Sequence, residues 1–200
     1  MMKILVVGAT GTIGRHVVNE LKGDFEILTA SKQNADIQVD ISSPDSIKEM
    51  YKKVGKIDAL ISTTGSTHYG LVTEMTPEQN MFSLENKVAG QINLVLLGLE
   101  YINDNGSITL TSGVTMDDPI REGASAAMAN GAIKAFVQSA AIEMPRGIRI
   151  NNVSPNILED SVNVYGDYFK GFVPVAGQLV AMAYRKSVQG AQTGQTYKVY

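Results

Sequence analysis

The sequence predicts an α/β fold: a single doubly wound domain with a parallel sheet of about seven strands and helices on both faces. Two observations predict it. Short apolar runs alternate with helical patterns along the whole chain, as in parallel strands joined by covering helices. The 200 residues suit one domain, and no repeat, linker or low-complexity tract divides them. We therefore expect residues 1–200 to fold as one unit.

The apolar runs predict the strands, because a strand buried on both faces of a sheet consists mainly of Val, Ile and Leu. In chain order the predicted strands are Ile4–Val7, Phe25–Ala30, a weak one at Ile37–Val39, Ile57–Ser62, Ser107–Thr111, Ile148–Val153 and Thr196–Val199.

The helices of the first half are predicted from periodicity and end signals. The first helix, Ile13–Leu21, ends at Gly23. Ser43-Pro44 supplies an N-cap and a first-turn proline for a second helix that reaches Val54-Gly55. Thr76-Pro77-Glu78-Gln79 is a capping box, and it begins a helical stretch that continues, with a break, to about Ile102.

In the second half, Asn103–Gly106 predicts a turn and Ala124–Met144 an alanine-rich helix. An irregular stretch follows Pro155, and we expect it to form a short substrate loop at about 156–174. The last predicted helix covers Val175–Ser187.

Composition excludes several classes of function. Seventeen basic and twenty acidic residues give a net charge of −3, so no basic surplus favours nucleic acid or an anionic membrane. The chain has no cysteine and only two distant histidines, His16 and His68, so we expect no metal site. The apolar runs are shorter than the roughly 18–20 residues that span a bilayer. These observations favour a cytoplasmic protein that acts on a small molecule.

A glycine-rich turn joins the first strand to the first helix. It reads Gly8-Ala-Thr-Gly11-Thr-Ile-Gly14, and its predicted binding residues are Gly8, Thr10, Gly11, Thr12, Ile13 and Gly14. One glycine permits the tight turn, one lets the backbone approach a pyrophosphate, and one lets the helix pack on the strand. The helix N-terminus then offers free N–H groups to the phosphates. We predict a Rossmann-type dinucleotide site; the alternative is that the glycines serve only the turn.

The residues after the second strand favour NADP over NAD. NAD sites place a carboxylate there for the ribose 2′-hydroxyl, but this chain has Ser31 and Lys32 and no acid. Ser31 and Lys32 can instead meet a 2′-phosphate, with the lysine acting as a point charge. In the alternative interpretation, Lys32 is a solvated surface lysine.

With these motifs in place, nearly the whole chain resembles the short-chain dehydrogenase/reductase family. The resemblance is carried by the glycine-rich turn, Asp40-Ile41, Ser62-Thr-Thr-Gly65, Gly106-Ser-Ile-Thr-Leu-Thr-Ser112 and the block from Ile142-Glu143 to Pro155. It implies that Asp40 and Ile41 lie beside the adenine. It also implies that Thr63, Thr64 and Gly65 line the adenosine ribose and that Pro155 and Ile157 lie near the nicotinamide. Alternatively, Asp40 is a helix-entry carboxylate.

The family transfers a hydride with the help of a tyrosine, a lysine and a serine, and the tyrosine–lysine pair is absent here. Counting back from Glu143 puts Ala127 and Gly131 at the tyrosine and lysine positions. Moving the frame by one helical turn brings in Lys134, but Asn130 then occupies the tyrosine position.

Two residues remain as catalytic candidates. A one-residue slip in the loop aligns Ser112 with the family's serine; otherwise Ser112 is a strand-end residue. Lys87 stands where the family has an asparagine, and a lysine there can bind the nicotinamide ribose or donate a proton if burial lowers its pKa. The alternative is a lysine that reaches solvent. Tyr69, Tyr165 and Tyr168 lie in loops where they could replace the missing phenol; the alternative is that each is a packing or substrate-contact aromatic.

Three functions follow from these patterns. The first is an NADP(H)-dependent oxidoreductase acting on a small carbonyl or alcohol. The second is a catalytically silent NADP(H)-binding sensor or scaffold, because a cofactor site does not by itself imply a reaction. The third uses the fold without a nucleotide. The resemblance also implies a homodimer or homotetramer, and the low charged fraction of 18% suits a surface partly covered by another subunit.

Overall fold

The computed structural model describes all 200 residues, and its centre is one seven-stranded parallel sheet in the order β3-β2-β1-β4-β5-β6-β7. The strands are β1 (Lys3–Val7), β2 (Glu26–Ser31), β3 (Ile37–Gln38), β4 (Ile57–Ser62), β5 (Ile102–Thr111), β6 (Arg149–Pro155) and β7 (Thr196–Val199). The strand order reverses between β1 and β4. In open α/β sheets, ligands bind at the carboxyl ends of the strands beside such a reversal.

Seven α-helices connect the strands: α1 (Thr12–Leu21), α2 (Pro44–Val54), α3 (Pro77–Ser83), α4 (Gly90–Gly98), α5 (Ala124–Ala140), α6 (Val162–Tyr165) and α7 (Gly177–Gln189). Two separate hydrophobic clusters lie on the two faces of the sheet. The larger cluster contains the buried side chains of α2, α4 and α5, and the other contains those of α1 and α7. The doubly wound fold predicted from the sequence is confirmed.

The predicted break in the long helix is a π-helical segment, Leu84–Ala89, between α3 and α4. Thr76 caps α3 as predicted, because its hydroxyl accepts from the N–H of Gln79 and the Gln79 side chain returns to the N–H of Thr76. A π-segment contains an extra residue relative to an α-helix, and such segments are frequent at functional sites. This one carries Lys87.

Most predicted boundaries lie within two residues of the observed ones, and two differ by more. The turn predicted at Asn103–Gly106 lies inside β5, where the pairing jumps from Ile57 with Ile102 to Ala59 with Ser107. The intervening residues form an irregularity in which Asn105 adopts a φ of 61°. The alanine-rich helix ends at Ala140 rather than Met144 because residues 141–143 turn toward β6.

No helix of the structure is both long enough and apolar enough to cross a membrane.

Candidate functional site

A cleft of about 660 Å³ runs along the carboxyl ends of β1, β2 and β4. This volume lies within the usual 300–1,000 Å³ of ligand sites. The predicted residues that line it are Gly8, Thr10, Gly11, Ser31, Lys32, Ile41, Thr63, Thr64 and Gly65. The sequence interpretation missed four more polar residues there, Gln33, Asn34, Ser66 and Asn86.

The glycine-rich turn has no room for side chains. Gly8 adopts a φ of +87°, and a Cβ there would lie 2.6 Å from the Thr64 methyl carbon and 2.8 Å from the Thr63 carbonyl oxygen. A Cβ on Gly14 would overlap the carbonyl oxygen of Gly8. Gly11 is the N-cap of α1 and provides no side chain to occupy the first N–H groups of the helix. Those N–H groups, together with the helix dipole, suit an anion such as a pyrophosphate.

We expect Gly14→Ala to lower the free energy of unfolding by about 1–3 kcal/mol, as overpacking of a close contact does. Gly131→Ala is the matched control, because a Cβ on Gly131 inside α5 would meet nothing within 4 Å. There the added methyl should raise stability by up to about 1 kcal/mol through helix propensity. Urea unfolding of both variants measures the difference. A Gly14→Ala protein as stable as wild type would contradict the close packing of the turn.

No carboxylate lines the large cleft. Lys32 is largely exposed at its rim, with its Nζ 3.3 Å from an oxygen of Asp40. Hydrogen bonds from the side chain and the backbone N–H of Ser42 lower the pKa of Asp40. Ser31 accepts a hydrogen bond from the N–H of Thr10 at 3.3 Å and so also holds the glycine-rich turn.

Asp40 itself lies outside the cleft lining, and its neighbour Ile41 lies inside it. Thr12 and Gly14 also lie outside the linings, since Thr12 begins α1 and Gly14 packs on the turn. No group of three potential metal-ligating side chains occurs in the structure.

A second, smaller cleft of about 160 Å³ lies beyond the ends of β5 and β6. It brings together five of the predicted residues, Ile13, Lys87, Ser112, Pro155 and Ile157. The two clefts adjoin at Gly65 and Lys87, because a Cβ on Gly65 would lie 2.7 Å from Cγ of Lys87. A ligand can therefore extend from the large cleft into the small one.

Lys87 is buried, with 8% of its surface exposed. Its stem lies against Gly65, and its Nζ donates a hydrogen bond to the carbonyl oxygen of Ser112 at 3.1 Å. Burial without a carboxylate partner disfavours the ammonium form and lowers the pKa of Lys87 to about 8. The alternative that Lys87 reaches solvent does not agree with this burial.

The hydroxyl of Ser112 donates to Oδ1 of Asn152 at 2.6 Å. The amide nitrogen of Asn152 donates in turn to Thr196, which fixes the amide. Gln91 on α4 holds the strand end by pairing with both the N–H and the carbonyl oxygen of Thr111. Ser112 is therefore rigidly placed, with its oxygen able to accept a hydrogen bond from a ligand. Sequence reasoning missed Asn152 and Gln91.

Because a charged lysine is buried here, we expect Lys87→Met to increase stability below pH 8, by on the order of 1–3 kcal/mol. The folded-state pKa of about 8 lies below the ordinary lysine value of 10.5. Between those pH values the unfolded wild type binds more protons than the folded one, so wild-type stability rises with pH. The amount by which Lys87→Met is more stable than wild type should therefore shrink between pH 8 and pH 10.5. Urea unfolding of both proteins at pH 7 and at pH 10 tests this. An equal difference in unfolding free energy at the two pH values would contradict the lowered pKa of Lys87.

The residues counted on α5 in the sequence differ in their placement. Ala127 lies in a different, apolar surface cleft and Gly131 lines neither of the two clefts described above. Lys134 also lines neither, and it pairs with Asp117. Asn130 is buried and is the one counted residue that lines the small cleft.

The three candidate tyrosines form one cluster. The ring of Tyr69 lies 5.3 Å from that of Tyr168 and 6.1 Å from that of Tyr165. Tyr69 and Tyr165 line the small cleft, whereas Tyr168 does not. Burial raises the pKa of Tyr69, which makes its phenol a poorer proton donor near neutral pH. Tyr69, Tyr165 and Phe169 form an aromatic wall of the cleft.

Comparisons with known proteins agree with this geometry. The family model described as enoyl-(acyl carrier protein) reductase matches residues 13–196. The chain is 29% identical over 182 residues to the uncharacterized oxidoreductase YmfI of Bacillus subtilis, covering 79% of this chain and 75% of that one. It is 24% identical over 202 residues to a trihydroxynaphthalene reductase of Colletotrichum orbiculare, covering 88% and 70%.

Solved structures are similar over the whole chain. The protein lin1944 from Listeria innocua is 56% identical with a TM-score of 0.98, and the match covers 100% of both chains. A small-chain dehydrogenase in complex with NADPH is 27% identical with a TM-score of 0.88, covering 99% of this chain and 96% of that one. The sheet order, the glycine-rich turn and these matches agree, and the chain belongs to the short-chain dehydrogenase/reductase family.

Proposed function

We propose that the protein is an NADP(H)-dependent oxidoreductase that acts on a small carbonyl or alcohol, with Lys87 and Ser112 as its catalytic residues. The observation that carries the proposal is the buried Lys87 ammonium, which lies with Ser112 in a small cleft adjoining the dinucleotide cleft. A lysine buried without a carboxylate destabilises the fold, so its presence at this position suits a chemical role better than a structural one.

The chain's residues fit the cofactor. Three features suit a dinucleotide. The glycine-rich turn has no room for a Cβ on Gly8 or Gly14, no side chain caps the N-terminus of α1, and the large cleft has a suitable volume. The absence of a lining carboxylate and the exposed Lys32 favour NADP over NAD. Pro155 and Ile157 would contact the nicotinamide side, and Thr63, Thr64, Gly65 and Ile41 the adenosine side. When bound, the cofactor supplies or removes a hydride.

Lys87 would act as the proton donor in the absence of the tyrosine. In the reductive direction its Nζ gives a proton to the carbonyl oxygen of the substrate and regains one from solvent through the open cleft. In the oxidative direction the neutral amine takes the hydroxyl proton. The oxygen of Ser112 would orient the ligand by accepting a hydrogen bond from a hydroxyl that does not react. Its own proton is committed to Asn152, and the reacting hydroxyl has only the one proton that Lys87 takes.

A second candidate function is a silent NADP(H)-binding sensor or scaffold. The alanine at the counted tyrosine position, Ala127, and the raised pKa of Tyr69 favour it, because neither residue supplies a phenol that transfers protons near neutral pH. In this case the dinucleotide cleft works as proposed and Lys87 only holds the cofactor.

We propose in addition that two copies associate through α3 and α5. These helices contact each other, and they expose Met81, Phe82 and Met128, each with 37% or more of its surface accessible. Exposed large apolar side chains that cluster are typical of interaction surfaces.

Titration with NADPH and NADH tests the proposal. The fluorescence of the bound cofactor reports binding cleanly, because the protein has no tryptophan. We expect micromolar binding of NADPH, weaker binding of NADH, and consumption of NADPH with at least one member of a panel of small ketones and aldehydes. Binding without consumption would favour the sensor, and binding of neither cofactor would overturn both functions.

A further inference from the structure

The small cleft contains a hydrogen-bond acceptor that the protein itself leaves unused. Only two buried side-chain polar atoms in the structure lack a hydrogen-bond partner, Oγ of Ser107 and Oδ1 of Asn130. Ser107 lies within the sheet, on β5, and lines neither cleft. Asn130 lines the small cleft and has 5% of its surface exposed. Buried polar groups are nearly always paired, so this exception indicates a partner that arrives from outside the chain.

The nitrogen end of the Asn130 amide has partners in the protein. The amide nitrogen donates to Oγ1 of Thr115 at 2.8 Å. It also packs closely on Gly113, where a Cβ would lie 2.9 Å from it. These two contacts leave the oxygen as the end of the amide that is available to a ligand.

No neighbouring donor of the protein satisfies this oxygen. The hydroxyl of Ser112 donates to Asn152 and the Nζ of Lys87 donates to the carbonyl oxygen of Ser112, and neither bonds to Oδ1 of Asn130. The oxygen is also shielded from water, so solvent does not compensate for its burial. A ligand group can reach it by a small rotation of the amide, since the terminal torsion of asparagine is soft.

We propose that Asn130 is a specificity-determining residue whose amide oxygen accepts a hydrogen bond from a hydroxyl of the bound ligand. The inference rests on the proposed function and extends it, because it assigns the chemistry of the ligand beside the reacting oxygen. The Lys87 ammonium can donate to an electron-rich oxygen of the ligand, and the Asn130 amide oxygen can accept from a hydroxyl next to that oxygen. The hydroxyl can come from the nicotinamide-side ribose of the cofactor or from a hydroxy-carbonyl substrate.

Two variants separate the acceptor from the rest of the side chain. Asn130→Leu removes both hydrogen-bonding ends at similar volume, and Asn130→Asp keeps an acceptor while losing the donor. Gln138→Leu, on the exposed face of α5, is the control for replacing an amide with leucine. Melting temperatures establish that each variant is folded. The first arm measures NADPH affinity by cofactor fluorescence.

The second arm measures the binding of 2-hydroxyacetophenone and acetophenone to the NADPH complex by the change in NADPH fluorescence. These two ketones differ by one hydroxyl, and their ring suits the aromatic wall formed by Tyr69, Tyr165 and Phe169. Loss of the hydrogen bond should weaken the relevant affinity about tenfold in Asn130→Leu and much less in Asn130→Asp.

Each outcome decides the inference. If NADPH binding weakens in Asn130→Leu and not in Asn130→Asp, the inference is supported and the donating hydroxyl belongs to the ribose of the cofactor. Unchanged NADPH binding with a selective loss for 2-hydroxyacetophenone supports it and identifies the substrate. The inference is wrong if the leucine variant changes neither affinity, or if the aspartate variant loses as much as the leucine variant, since the amide would then act as a donor. Failure of wild type to bind NADPH would instead overturn the proposed function.

Discussion

Replacing Lys87 with methionine is expected to lower kcat/KM for carbonyl reduction by about 10²–10³-fold, the usual contribution of a positioned proton donor. Methionine fills the space of the lysine stem against Gly65 and loses only the ammonium. The measurement is the consumption of NADPH with the carbonyl compound that wild type reduces fastest. Lys48→Met, on α2 and outside both clefts, is the control for the same substitution and should leave the rate unchanged.

The pH profile separates a proton donor from a residue that only binds the cofactor. Lys87 has a pKa of about 8 and is mostly protonated at pH 7. For wild type, kcat/KM should therefore be constant below pH 8 and fall about tenfold per unit above it, as the donor loses its proton. The methionine variant should lack this decline. Unchanged cofactor affinity and turnover in Lys87→Met would remove Lys87 from the mechanism.

Lys32→Glu is expected to weaken NADPH binding by about 10–100-fold and to change NADH binding much less. The substitution removes a cation from the rim of the dinucleotide cleft and places a carboxylate where it repels a 2′-phosphate. The same carboxylate can accept a hydrogen bond from the ribose 2′-hydroxyl of NADH. Fluorescence titration of both cofactors gives the two dissociation constants and their ratio.

Lys53→Glu is the matched control, because it makes the same charge change at an exposed position of α2 outside both clefts. It should leave the ratio of the two constants unaltered. Wild-type NADPH binding should also weaken more steeply with added salt than that of Lys32→Glu, since salt screens an exposed charge pair. An equal loss of NADPH and NADH affinity in Lys32→Glu would assign Lys32 to the fold and not to cofactor choice.

The fold and the dinucleotide cleft could be predicted because their signals are local. Ile57–Ser62 and Thr196–Val199 read directly as strands, and the close contacts of Gly11 and Gly14 are with the backbone of the same turn. Thr76 and Gln79 likewise form their capping box within four residues. Such features depend on neighbours in the sequence and are visible without the tertiary structure.

The chemistry of the small cleft depends on contacts between distant residues, and these carry no local signal. The placement of Ser112 depends on Asn152, forty residues away, and the environment of Asn130 depends on Gly113 and Thr115. Burial of Lys87 could not be inferred from its neighbours, since a lysine on a helix is ordinarily exposed. The end of α5 could not be predicted either, because the helix stops at Ala140 and the apolar pattern continues into the turn after it.

The π-helical segment makes the orientation of Lys87 depend on chain length as well as on residue type. In an α-helix each residue advances the side chains by about 100° around the axis. Deleting one residue between Leu84 and Lys87 would allow the segment to relax into a regular helix, with Thr76 still capping one end and Gln91 still anchoring the other. The direction of the Lys87 side chain relative to Ser112 would then change, because a π-segment and an α-helix differ in the angle by which each residue advances. An insertion or deletion in this one turn is therefore expected to reposition the Lys87 ammonium group without any substitution of Lys87 itself.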